Sequence, residues 1–537
     1  MTDRPPRDPG APLETGPHPL VTNVAVSPHH LASTAAIEIM RYGGNAVDGA
    51  VAANAVLSVI LPDTCGPGGD LFALIHRPGD EMPQALNASG RAGSGARASL
   101  LRAQGFHEIP TRSPWTVTVP GCVDGWEALL AEAGSMSMAD VLAPAIDLAE
   151  HGFPSSPELA TSLDRIQSLL EGQGSAPPLY PGGRPPTAGV ILRRPRLAAT
   201  LQALATDGRD AFYSGDVGIA ITEVTSGVIT ADDLLIRQAE WVTPIGLETF
   251  GVTGWTIPPN SQGYMTLAAA WIFDRFVDSA DPGDPAYQHG LIEAYRAVAW
   301  EGDDMVADPA VTPFPPTDLL SLDRLAERLD AIDPDRTRSW PRSTKASGGT
   351  AFLCTRDASG VGVALIQSNF HGIGSGLSAG NTGVFLHDRG EGFNLIEGHP
   401  NELQPGKRPL HTLSPTLWTR GRNLAAVLGT RGGEYQPQYL VQVAANLFKA
   451  GMQPGHAQAA PRWHVDEWRA GIEHVVQLES GHGAGMARAL SAKGHQTRLV
   501  EPRQPGWGPV SIITVDESRT AAAADPRIST AAAITSP

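Results

Sequence analysis

Residues 349–368 read GTAFLCTRDASGVGVALIQS, and this stretch decides the fold. Thr350–Arg356 reads as one strand and Val361–Ser368 as another, with turn chemistry at residues 357–360 (DASG) between them. A hairpin folded about Ser359 sets Thr350 opposite Ser368. Two hydroxyls then lie side by side at the start of a strand, just after a Gly-Gly pair. Residues 330–349 upstream are polar and carry two prolines, and they read as an exposed, mobile connector.

A threonine hydroxyl is a poor nucleophile at its own pKa and needs a nearby base. If the Gly349–Thr350 bond is cut, the new α-amine supplies one, with an ordinary pKa of about 7.7 to 8.0. Gly349 leaves its carbonyl sterically open to the Thr350 hydroxyl, and Ser368 is placed to orient that hydroxyl. The plain alternative is that Thr350 is a β-branched strand residue after a loop, and the hairpin alone does not exclude it. Downstream, residues 372–380 (GIGSGLSAG) form a Gly-rich loop with no phosphate-binding signature. Residues 405–415 form a second polar loop. A strand at Leu424–Leu428 leads through Gly432-Gly433 to a helix over about Gln438–Lys449. Paired glycines there can offer backbone N–H groups to an oxyanion; alone they also fit an ordinary strand-to-helix turn.

The rest of the chain frames this hairpin. Leu31–Arg41 has helical periodicity and stops at Gly43-Gly44; Asn45 can cap a second helix running to about Leu61. Further helices are expected over Val123–Ala133, Met138–Glu150, Arg196–Ala205 and Met265–Val277, with a short strand at Leu71–His76 after the Gly-rich turn 65–70. Residues 1–20 read as a disordered tail. A net charge of −17 over 537 residues argues against nucleic acid or an anionic membrane as main partner and does not predict the charge of a substrate. The three cysteines, Cys65, Cys122 and Cys354, form no CxxC pair and read as buried apolar residues. No metal or cofactor motif is present. No secretory signal is legible, and the most apolar stretch, Ala46–Leu61, is too short and polar to span a bilayer, so a cytoplasmic enzyme is the expectation.

From about residue 21 to 515 the chain resembles γ-glutamyltransferases. The matching blocks are residues 43–48 (GGNAVD), the loop 66–70, residues 117–121 (VTVPG), 142–146 (LAPAI), Thr350 with its hairpin, 405–409 (PGKRP), and Gly432-Gly433. The resemblance implies an α+β fold, the αββα sandwich of N-terminal-nucleophile hydrolases. It also implies self-cleavage into a large fragment (21–349 after the tail) and a small one (350–537) that stay associated. Thr350 matches the nucleophile, Ser368 the threonine that supports it, and Gly432 and Gly433 the oxyanion-hole glycines.

The departures bear on substrate. By alignment Ser89 stands where the family has the arginine that binds the substrate α-carboxylate, and Arg91 is displaced. Glu391-Gly392 replaces an Asp pair, His411-Thr412 a Ser-Ser, and Ala351-Phe352 the usual Thr-His. Arg389, His411, Thr412, Arg91, Phe370 and Glu434 are the candidate substrate-binding residues. The changed motifs resemble a divergent branch with oxamate amidohydrolases and glutaryl-type acylases. They also resemble enzymes of actinobacterial antibiotic pathways that cleave a C–C bond in a 4-alkylproline precursor. The first expectation is therefore hydrolysis of an amide bond in a small carboxylate-bearing compound. The alternatives are C–C hydrolysis, true glutathione-directed γ-glutamyl transfer, and an uncut, non-catalytic relative.

Overall fold

A computed structural model describes residues 13–19, 22–340, 349–466, 475–517 and 519–537. At its centre is the expected hairpin, Gly349–Arg356 paired with Gly362–Phe370. Ala351 faces Gln367 and Arg356 faces Gly362 in regular antiparallel register, and the pairing shifts between Gly349 and Ala351. The turn is closed by the Asp357 carboxylate, which accepts from the Ser359 and Val361 amides. Its other oxygen accepts from the Ala46 amide at the start of the helix Ala46–Ile60, so one side chain fixes both the turn and a helix end.

The hairpin lies inside a seven-stranded sheet in the order Ala532–Ser536, Asn23–Ser27, Gly349–Arg356, Gly362–Phe370, Asp70–His76, Gln84–Ala88, Glu240–Val242. A second seven-stranded sheet runs Leu13–Pro19, Arg519–Ala524, Val510–Val515, Asn423–Thr430, Thr416–Arg420, Val252–Thr256, Ile245–Thr249. All pairings in both sheets are antiparallel. Both central strands are apolar on both faces, and alternation sorts their side chains into layers. Phe352, Cys354, Ala364 and Ile366 meet Leu417, Val427 and Ile513 between the sheets. Ala351, Leu353, Val363 and Leu365 face the helices Ala46–Ile60, Met138–His151 and Pro195–Asp207. Ala426, Leu428 and Ile512 face the helices Tyr264–Phe276, Pro285–Ala299 and Gln436–Phe448 on the far side. The architecture is therefore helix, sheet, sheet, helix, as expected. A Cβ on Gly429 would stand 2.2 Å from the Phe352 ring, so the phenyl that replaces the family's histidine fills the space between the sheets.

The helices fall where periodicity and capping put them. Asn45 and Asp48 form a reciprocal capping box, and Gly43 takes φ 107° just past the helix His30–Arg41. The three cysteines are buried and unpaired.

Two expectations are corrected. Leu13–Pro19, read as part of a disordered tail, is an edge strand on Arg519–Ala524; an edge position tolerates its prolines, and the register slips between Thr15 and His18 around Pro17. Residues 1–12 lie outside the described residues. The connector, read as exposed and mobile throughout, is docked over its first half: the buried Glu293 carboxylate accepts from the Thr337 hydroxyl, the Arg338 amide and the Trp340 indole. Residues 341–348 lie outside the described residues. No helix among those described is long and apolar enough to cross a membrane.

Candidate active site

Thr350 falls at the irregularity in the hairpin, buried at the start of its strand. Its hydroxyl donates to the Ser368 Oγ at 3.3 Å. Ser368 in turn donates to the Gly349 carbonyl oxygen at 2.6 Å. It also accepts from the Phe370 amide at 2.8 Å and from Arg389 Nη2 at 3.2 Å. One serine hydroxyl thus touches the candidate nucleophile, the bond it would attack and a buried cation. Phe370 holds φ 73°, a left-handed conformation uncommon for a bulky residue, at the point where the strand turns away from Ser368.

Arg389 opens a short 3-10 turn, Arg389–Gly392, that leaves no room for a side chain at its two glycines: a Cβ on Gly390 would meet the Thr116 carbonyl at 2.7 Å and one on Gly392 the Leu410 carbonyl at 2.5 Å. The guanidinium is fully buried and lies 4.0 Å from the Phe370 ring centroid. Nη1 donates to the Thr412 hydroxyl at 3.1 Å. Burial pulls its pKa down to about 10, against the upward pull of Asp70, Asp388, Glu391 and Glu434. Thr412 is joined to the Gly433 turn by Gln262, whose amide donates to the Thr412 and Gly433 carbonyls at 2.9 and 3.0 Å. Gly432 (φ 131°) and Gly433 (φ 58°) stand at the entry to the helix Gln436–Phe448, where partial positive charge gathers. Glu434 is buried in the same turn.

Behind this group lies a buried carboxylate that sequence reading missed. Asp70 Oδ1 accepts from the Gly90 and Gly121 amides at 2.9 and 3.2 Å. Asp70 Oδ2 lies 3.1 Å from His411 Nε2 and 3.5 Å from His387 Nδ1. Burial would raise this carboxyl, but His387 and then His411 draw it down to about 2. His411 is pushed to about 3 by burial and by Arg389, so it is neutral at ordinary pH. The signal available in the sequence was a charged residue at the head of an otherwise apolar strand.

Arg91, expected among the substrate-binding residues, stands apart from this group. Its guanidinium pairs with Glu240 at 3.1 Å, partly exposed, and does not join the hydrogen bonds around Thr350. Ser89, at the family's arginine position, is held by the buried Arg408 together with Asn87 and Asn260. Among the described residues, His371, Asp388 and Glu391 have ligand atoms within 4.8 Å of one another, close enough to hold a metal ion. They also form an ion-paired triad: His371 Nδ1 lies 3.1 Å from Asp388 and 3.2 Å from Glu391. Burial would lower the imidazole, but these two carboxylates raise it to about 9.

Two stacked antiparallel sheets with helices outside both are the fold of the N-terminal-nucleophile hydrolases. The chain belongs to the gamma-glutamyltranspeptidase family, whose model matches residues 32–535. It is 34% identical to the glutathione hydrolase-like YwrD proenzyme of Bacillus subtilis (strain 168), over 94% of this chain and 97% of that one. It is 32% identical to the oxamate amidohydrolase proenzyme of Klebsiella pneumoniae, over 95% and 98%. The crystal structure of cephalosporin acylase from Bacillus halodurans superposes with a TM-score of 0.89 at 31% identity, covering 99% of this chain and 98% of that one. The protein is accordingly an enzyme of hydrolase and acyltransferase type, in the branch of amidohydrolases and acylases that the departures indicated.

Proposed function

We propose that the chain cuts itself before Thr350. The mature enzyme then uses that threonine to hydrolyse an amide bond in a small carboxylate-bearing compound other than a standard γ-glutamyl one. The observation that carries this is the hydrogen-bond chain from Thr350 through Ser368 to the Gly349 carbonyl and Arg389.

In the first step the Thr350 oxygen adds to the Gly349 carbonyl carbon, and the donor on that carbonyl, Ser368, stabilises the charge that develops on its oxygen. The hydroxyl proton passes to the leaving nitrogen, and breaking the C–N bond moves the acyl group to the Thr350 oxygen as an ester and frees the α-amine. Water then hydrolyses the ester, leaving a Gly349 carboxylate and an N-terminal threonine. In the catalytic cycle the free amine takes the Thr350 hydroxyl proton as oxygen attacks the substrate amide. The Gly432 and Gly433 amides receive the oxyanion, the leaving amine departs with the proton, and water releases the acyl group. Arg389 and Thr412 hold the substrate carboxylate, a bidentate fork and a hydroxyl being a suitable pair for it. Phe370 and Glu434 shape that end of the site, and His411 serves as the neutral strut that ties Thr412's loop to Asp70.

The oxamate amidohydrolase and cephalosporin acylase relatives support an amide as the bond cut. Against glutathione stands Ser89, bound to Arg408 where the family's carboxylate-binding arginine belongs. The test is product release by the self-cleaved protein from oxamate, succinamate, glutaramate and glutathione. Turnover of at least one half-amide, lost in Arg389→Gln through KM, is expected. Turnover of glutathione with none of the half-amides would overturn the substrate assignment.

A further inference from the structure

Arg389 is an unusual buried cation. Its two terminal nitrogens donate to neutral hydroxyls, those of Thr412 and Ser368. Among the described residues its Nε has no hydrogen-bond partner. Yet Asp388 and Glu391, in the same short turn, are near enough to act on it electrostatically. A buried guanidinium ordinarily takes a carboxylate into its fork. Here the two carboxylates nearest it in the chain, Asp388 and Glu391, are engaged elsewhere. Asp388 accepts from the His371 amide through one oxygen and meets the His371 ring through the other, at 3.0 and 3.1 Å. Glu391 meets the same ring nitrogen at 3.2 Å, and its other oxygen accepts from the Arg112 amide at 3.4 Å. His371 and Arg389 are one aromatic ring apart: the imidazole packs 3.8 Å from the Phe370 centroid and the guanidinium 4.0 Å from it.

We propose that His371 is a specificity-determining positioning residue, whose ring occupies Asp388 and Glu391 so that the Arg389 fork stays open to the carboxylate of the substrate. The inference rests on the assignment of Arg389 as the carboxylate holder. The charges that face this corner in the self-cleaved chain are the cations His371 and Arg389, the Thr350 α-amine beyond Ser368, and the carboxylates Asp388, Glu391, Glu434 and, behind Arg389, Asp70. Removing the His371 charge leaves the acids in excess by one more unit. The freed Asp388 and Glu391 then compete for the guanidinium, and an anionic ligand meets a less favourable field. An uncharged ligand of the same shape does not feel that change, which separates this role from a merely structural one.

The test is the KM of self-cleaved protein for oxamate, succinamate and glutaramate, each beside the uncharged diamide of the same chain length. His371→Gln should raise KM for the carboxylates on the order of tenfold and leave KM for the diamides unchanged. His371→Lys, which keeps a cation, should restore most of the loss. The pH profile gives a second readout. His371 is charged below about 9, so carboxylate affinity in the wild type should fall as pH rises through that value. That step should be absent from His371→Gln, while the step from the Thr350 α-amine, ordinarily about 8, remains in both. KM for the carboxylates unchanged in His371→Gln, or raised as much for the diamides, would overturn the inference while leaving Arg389 in place. A wild type that turns over no carboxylate, or an Arg389→Gln variant with unchanged KM for them, would overturn the Arg389 assignment and this inference with it. If His371→Gln does not fold, the wild-type pH step and the His371→Lys variant decide.

Discussion

Ser368 concentrates the chemistry of the site in one hydroxyl. It has a single hydrogen to donate, and that hydrogen goes to the Gly349 carbonyl. Ser368→Ala should therefore slow self-cleavage by roughly a hundredfold to a thousandfold, the usual cost of one oxyanion donor. Ser368→Thr keeps the hydroxyl and should cleave nearly normally. The fraction of uncut chain after timed expression, read by intact mass, checks both. At this scale the sequence was legible wherever chemistry followed local spacing. Thr350 and Ser368 are eighteen positions apart on a single hairpin, and the register set by its turn brings them together. Asp70 and His411 are 341 positions apart, and Gln262 reaches Gly433 across 171. No local pattern announces such pairs, because a buried polar group is satisfied by whatever the finished fold brings to it.

The elements were legible for a different reason. Strands buried on both faces carry their own register, since a slip of one residue would exchange the between-sheet residues Phe352 and Ile366 with those that face the helices. Helix ends were marked by Asn45, Asp48 and Gly43. What the pattern hid were segments ordered from outside themselves: the edge strand Leu13–Pro19 and the connector residues held on Glu293. The Gly-rich turn 65–70 was read only as a turn; its tightness has a structural cause. A Cβ on Gly69 would stand 2.4 Å from the Ser368 carbonyl oxygen. Gly69→Ala should then push the Ser368 strand out of place, costing about 1–3 kcal/mol and slowing cleavage. A melting curve and a cleavage time course measure the two effects. Asp357→Ala, which removes the acceptor of the Ala46, Ser359 and Val361 amides, should cost about 1–3 kcal/mol of stability with cleavage unchanged, because the lost bonds lie at the far end of the hairpin.

On the scale of the whole molecule, several imidazoles are folded in as neutral groups. Burial pushes His411 and His464 to about 3 and His29 and His482 to about 4, all below their ordinary value. The unfolded chain binds protons at these positions near pH 6.5 while the native chain does not, so stability is lost as pH falls from there toward 3. Asp70, drawn down to about 2, adds a further loss below its unfolded value near 4. The melting temperature should thus decline steadily from neutral pH into acid; a flat profile between pH 7 and 4 would contradict the neutral burial of these rings. The sandwich itself brings the connector's end, the central hairpin and the turns at 389, 412 and 433 into one place, and the central claim concerns what happens there. Intact mass of the purified wild-type chain, beside Thr350→Ala, tests it most directly. Two fragments in the wild type that break between Gly349 and Thr350, with a single uncut chain in the variant, are the result expected. A wild type that stays whole, or a variant that cuts at the same bond, would contradict the assignment of Thr350 as the nucleophile.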